Sequence, residues 1–106
     1  MGAITPITTE FKQKMEELYG DQLAKVLLYG SYARGDYHAE SDIDLMVVLR
    51  TDKLQLFQEI CKITEISTPI SLANKKILAV VPTSLQKFQE YDSMFYRNIH
   101  QEGIEL

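Results

Sequence analysis

The chain has no tryptophan, a single cysteine, three prolines and no Lys/Arg run longer than the pair Lys75-Lys76. One cysteine excludes an internal disulfide and suits a reducing compartment. So few prolines and glycines, without any period, exclude collagen-like and low-complexity classes. With no basic stripe and a formal charge of −4, the chain lacks the electrostatic footprint that polynucleotide binding needs. The longest apolar runs, 26–29 and 45–49, fall far short of the roughly 20 residues that span a bilayer. Nor does the start read as a basic region followed by an apolar stretch, so no signal peptide is expected. The expectation is a cytoplasmic domain without membrane contact. At 106 residues it is expected to be one domain, 1–106, large enough for a single core.

What is present is ordered punctuation. A helix is expected over about 9–19, with Phe11, Met15 and Leu18 on one stripe and Gly20 as its stop. A strand over about 25–29 ends at Gly30, and a second follows over 43–49. Leu54, Phe57, Ile60, Cys61 and Thr64 recur at helical spacing, widened by Leu56, Ile63 and Ile66. Thr68-Pro69 is expected to stop that helix. A third strand over 77–81 is expected to end at Pro82, followed by short helices over about 84–91 and 93–102, the latter closed by Gly103. The pattern predicts an α+β or mixed α/β fold, a small sheet of three to four strands with helices on one face.

Residues 30–45 concentrate the chemistry. Gly30-Ser31 forms a small-residue turn after the apolar run Val26–Tyr29. Asp42 and Asp44 lead into the next strand, Leu45–Leu49. Residues i and i+2 of a strand share a face, so these carboxylates are expected to project side by side. Like charges so placed repel unless a cation lies between them. Oxygen ligands for a hard cation beside backbone N–H groups able to meet phosphate are what a magnesium–nucleotide site requires.

This arrangement resembles the signature of the nucleotidyltransferase superfamily that includes DNA polymerase β: apolar-Gly-Ser, ten residues, then Asp-apolar-Asp-apolar. Gly-Ser-Tyr-Ala-Arg-Gly followed by Ser-Asp-Ile-Asp-Leu is most similar to the minimal nucleotidyltransferases of bacteria and archaea, many paired with a small helical HEPN-domain protein in toxin–antitoxin systems. The resemblance implies that Gly30 and Ser31 contact the triphosphate of ATP or another NTP, with Arg34 in support. It implies further that Asp42 and Asp44 are the catalytic carboxylates and hold Mg²⁺. The implied reaction moves a nucleotide, AMP in the first instance, to a hydroxyl such as a tyrosine of a partner protein. The implied partners are the nucleotide and a HEPN-type helical protein, and a homo-oligomer is compatible with the sequence.

One position departs from the pattern. The resemblance implies a third carboxylate on the next strand, and residues 76–82 contain no acid. A missing general base costs roughly 10²–10⁴ in rate. The alternative reading is therefore a nucleotide-binding antitoxin or partner-binding protein with weakened chemistry. Among the remaining polar residues, Asp36 and Glu40 are expected to be solvated, and His38 and His100 lack partners at metal-binding spacing. Cys61 is expected to be a buried small hydrophobe. Tyr29 and Tyr32 are expected to pack, leaving Tyr37 to meet a base or solvent, while Phe95, Tyr96 and Ile99 are expected in the core.

Overall fold

The computed structural model describes residues 2–106. Helix α1 (Thr5–Tyr19) begins earlier than its apolar stripe suggests. Pro6 lies in its first turn, where the missing N–H costs no hydrogen bond. Ile7, Phe11 and Met15 are buried, whereas Leu18 lies at the exposed rim. Strand β1 (Leu23–Tyr29) and strand β2 (Ile43–Leu49) are antiparallel, with Tyr29 opposite Asp44. Between them, helix α2 (Ser31–Arg34) is a single turn.

Helix α3 (Leu56–Asn74) carries the chain across to strand β3 (Leu78–Ser84), which runs parallel to β2 and places Ala79 opposite Asp44. Two short helices follow, α4 (Leu85–Glu90) and α5 (Met94–Glu102), capped by the Ser84 and Ser93 side chains. A two-residue strand, β4 (Ile104–Glu105), adds to the other side of β1 and brings the sheet to four strands, at a position the sequence pattern does not mark. The sheet order is β3-β2-β1-β4.

Alternation along the strands creates two apolar faces. Val26, Leu28, Ile43, Leu45, Val47 and Leu49 pack with Phe11 and Met15 of α1 and with Ile63 and Ile70 of α3. Both long helices thus lie on one face, but the helices are not confined to it, contrary to what the pattern predicts, because the short α4 and α5 cover part of the other face. Leu27, Met46 and Val48 form a second cluster with Phe88, Tyr96 and Ile99 of the short helices. There Thr83 Oγ1 and the Tyr96 hydroxyl lie 2.9 Å apart, a buried hydrogen bond. The end of this second face that carries the carboxylates stays open: Asp42 is exposed, and Asp44 and Ala79 are half-buried.

Helix α3 corrects two expectations. It runs through Pro69 rather than stopping there. The proline ring forfeits one intrahelical bond on the exposed side, while Ser67 and Ile70, on either side of it, are buried. Tertiary packing of that face outweighs the local break. The buried stripe is Ile63, Ser67 and Ile70, with Ile66 partly covered, and Leu54, which the pattern counts in this helix, precedes it and is partly covered too. Phe57, Ile60 and Cys61 face outward, so Cys61 is an exposed thiol and not a core residue. The helix has apolar residues on more than one face, and a single sheet can cover only one. Strand β3 likewise continues past Pro82, which is tolerated because β3 is the outermost strand.

Candidate active site

Gly30 ends β1 in a conformation reserved for glycine, with φ at +74°. Its Cα lies so close to Asp44 that a Cβ there would overlap Oδ2 and sit 3.0 Å from Cγ. The turn and the second carboxylate are therefore in van der Waals contact. Helix α2 starts at Ser31, and the first N–H groups of a helix lack partners within it. Arg34 N–H closes that turn on the Gly30 carbonyl at 3.0 Å.

Asp42 immediately precedes β2 and Asp44 is its second residue. Burial raises the Asp44 carboxyl above the usual carboxylate range, the negative charge of Asp42 raises it further, and Arg34 opposes both. Asp42 and Asp44 are thus close enough to couple electrostatically. Arg34 is exposed, donating to Asp36 at 3.2 Å and to Glu102 of α5 at 3.2 Å. The structure therefore brings Gly30, Asp42, Asp44 and Arg34 into one neighbourhood, with Ser31 opening the turn that leads from the first to the last.

Three features were missed in the sequence. Glu102 holds Arg34 from 68 residues away. Lys76 Nζ donates to the Tyr32 hydroxyl and to the Ala39 carbonyl, both at 2.8 Å, tying the approach to β3 to α2. A polar cavity of about 240 Å³ also opens beside Asp42, walled by Glu40 and Ser41 on one side and by Lys75 and Lys76 on the other. The Lys75-Lys76 pair was the only legible signal for it. Tyr37 stacks on buried Tyr32 with ring centroids 4.4 Å apart, and Phe95, expected in the core, is partly exposed against Tyr29.

Among the described residues, no cluster of three or more His, Cys, Asp or Glu side chains could hold a metal. The protein offers two coupled carboxylates, a hard all-oxygen donor set that fits Mg²⁺, which commonly takes only one or two protein carboxylates and completes its shell with phosphate and water. Ala79, opposite Asp44 in the register, supplies no third ligand.

The coupling has a measurable consequence. A carboxyl raised in the folded state binds its proton more readily there than in the unfolded chain. Its contribution to stability is complete below the unfolded value and is lost as pH rises through the folded one. In EDTA, Asp44→Asn should therefore raise the melting temperature at about pH 7 and lose that advantage near pH 4. Mg²⁺ should narrow the same gap at neutral pH. Thermal melts showing an equal shift at both pH values would exclude the charge-coupling explanation.

A Gly-Ser turn pressed against paired carboxylates at the open end of a mixed sheet defines a nucleotidyl-transfer type of domain. The family model described as a nucleotidyltransferase domain matches residues 9–104, and this chain belongs to that family. It is 32% identical over 103 residues to a candidate protein adenylyltransferase of Methanocaldococcus jannaschii, covering 97% of this chain and 98% of that one. A second such protein of the same organism is 30% identical over 95 residues, covering 89% and 88%. The fold is shared with a toxin–antitoxin crystal structure containing AMP-PNP (TM-score 0.61, 20% identity, 90% of this chain and 68% of that one). It is also shared with a candidate nucleotidyltransferase of Sulfolobus solfataricus (TM-score 0.64, 17% identity, 94% and 76%). Among the described residues no helix is long and apolar enough to cross a membrane.

Proposed function

We propose that this domain transfers AMP from Mg·ATP to a hydroxyl of a partner protein, a tyrosine being the acceptor of choice. The observation that carries this reading is the contact between the Gly30 turn and Asp44, with Asp42 coupled to the same carboxyl. Backbone N–H groups of the turn would meet the phosphates, while Asp42 and Asp44 would hold Mg²⁺. The bound ion would offset charge on the attacking and leaving oxygens as the acceptor oxygen bonds to the α-phosphorus and pyrophosphate departs. Arg34, whose side chain is held by Asp36 and Glu102, closes the turn through its backbone N–H and would give up one of those side-chain bonds to reach phosphate.

The adenylyltransferase names of the two relatives and the nucleotide analogue in the toxin–antitoxin neighbour support the choice of AMP and of a protein acceptor. A second reading rests on Ala79: without an acid facing Asp44, the domain binds Mg·ATP and a HEPN-type helical partner but transfers slowly. Incubation with labelled ATP, Mg²⁺ and the product of a neighbouring small helical gene separates the two. Label on the partner, lost when Asp42 and Asp44 are both changed to Asn, supports transfer. A stable complex without label supports the second reading, and unaltered Mg·ATP affinity in the double variant would remove Asp42 and Asp44 from both.

A further inference from the structure

Strand β3 is the outermost strand, with β2 on one side and no strand on the other among the described residues. Its hydrogen-bonding parity is set by the bond from Ile43 N–H to the Ile77 carbonyl. Residues 77, 79, 81 and 83 therefore direct their backbone groups to β2, and 76, 78, 80 and 82 direct theirs outward. Lys76 is already occupied, because Ser71 accepts its N–H and the Ser71 hydroxyl donates to its carbonyl. Pro82 has no N–H to give. Within β3 (Leu78–Ser84), Pro82 keeps only its carbonyl and Ser84 leads into α4, so the residues able both to donate and to accept at the open edge are Leu78 and Val80, symmetric about Ala79.

Beside this edge lies an uncovered apolar stripe of α3. Phe57 is 79% exposed, Leu72 75% and Ile77, just before β3, 63%, with Ile60 also exposed. A groove of about 270 Å³ runs between the two, lined by Ile60, Thr64, Thr68 and Leu72 of α3 and by Leu78 and Val80 of β3. From these features we infer that β3 pairs antiparallel with β3 of a second copy, across a two-fold axis at Ala79, and joins two sheets into one of eight strands.

The register follows from the free groups. With Ala79 opposite its own copy as a non-hydrogen-bonded pair, Leu78 of one chain faces Val80 of the other and exchanges both N–H···O bonds. The same happens on the other side of the axis, so the four donors and four acceptors of Leu78 and Val80 in the two copies are all satisfied. Neither neighbouring position could extend the ladder, since Lys76 is occupied and Pro82 lacks a donor. The pairing also sets the two α3 helices side by side and antiparallel, with their exposed stripes toward each other. An extended peptide from an unrelated protein would satisfy the edge but leave Phe57 and Leu72 in water, which is why a second copy fits better. The two carboxylate sites would then share one face of the joined sheet, with two β3 strands between them.

The register gives a sharp test. In a non-hydrogen-bonded antiparallel pair the Cα atoms lie about 4.5 Å apart, within disulfide range. In a Cys61→Ser background, Ala79→Cys should cross-link two chains under mild oxidation. Val81→Cys, which would face position 77 of the other copy, should not. Sedimentation of the native chain should approach twice its 12.2 kDa as concentration rises. Leu72→Asp, at an exposed position, should return it to one chain with an unchanged circular dichroism spectrum, and Val80→Pro should do the same by removing an outward N–H. A single-chain mass at every concentration overturns the inference. So does a dimer that survives both substitutions, or cross-linking through Val81→Cys but not through Ala79→Cys.

Discussion

Gly30→Ala should destabilise the domain by roughly 2–3 kcal/mol and abolish Mg·ATP binding. Two costs add at this position. The Gly30 backbone, φ +74° with ψ −155°, lies in a region almost closed to L-residues and costs about 1–3 kcal/mol, and the new methyl overlaps the Asp44 carboxylate, whose Cγ would be 3.0 Å away. Gly35, in the milder left-handed helical region, is a control without the contact. It also has a positive φ, +86°, but nothing lies within 4 Å of its missing Cβ. Gly35→Ala should show the conformational cost alone and keep nucleotide affinity. Urea melts give the difference directly, since equal slopes license comparison of midpoints. In a cycle with Asp44→Ala, which removes the Cγ and carboxylate oxygens, the excess cost of Gly30→Ala should shrink. Equal losses at Gly30 and Gly35, or no recovery in the cycle, would mean that the turn does not press on the carboxylate.

This contact explains why the site was more legible in the sequence than the fold around it. Gly-Ser and Asp-x-Asp have local meanings: a glycine ends a strand, and two residues one apart share a face. Their juxtaposition needs only that the two flanking strands pair, and the short span between them makes that pairing antiparallel. Glu102 and Lys76 have no such local signature. They reach the site through distant pairings, Glu102 on α5 and Lys76 on the approach to β3. Helix α3 failed for the complementary reason. Its sequence carries apolar residues on two faces, and which one is buried depends on where the sheet lies, information that periodicity does not contain. The outward stripe then gains a meaning of its own, as the surface beside an open strand edge. Local rules make Pro69 and Pro82 stops, yet one sits on an exposed helix side and the other on an outer strand.

Among the consequences of the register, the largest gain of function is expected from Ala79→Asp. Tyr29, Asp44 and Ala79 lie in one row across β1, β2 and β3, and paired residues of a sheet share a face. A carboxylate at position 79 would stand beside Asp44 on the open side, where the fold lacks a third acid. Tyr29, on the other flank, cannot serve: burial and the charge of Asp44 push its hydroxyl up to about 12, so it is a poor base near neutral pH. A restored general base is worth roughly 10²–10⁴ in rate, and an increase in AMP transfer of at least about tenfold is expected. Alanine is small and half-buried, so the added atoms meet little packing resistance. A third like charge beside a pair that already raises Asp44 should nevertheless lower stability in EDTA and restore it in Mg²⁺. Melts belong at low concentration, because across the two-fold inferred at Ala79 the new carboxylates of two copies would also repel. Val81→Asp, on the same face but opposite Met46, should give neither the rate gain nor the Mg²⁺ rescue. If both variants accelerate transfer equally, the gain is a surface-charge effect. If neither does while the native chain already transfers efficiently, the base comes from the partner that brings the hydroxyl, and the apolar face of β3 is then where that partner's acceptor segment must lie.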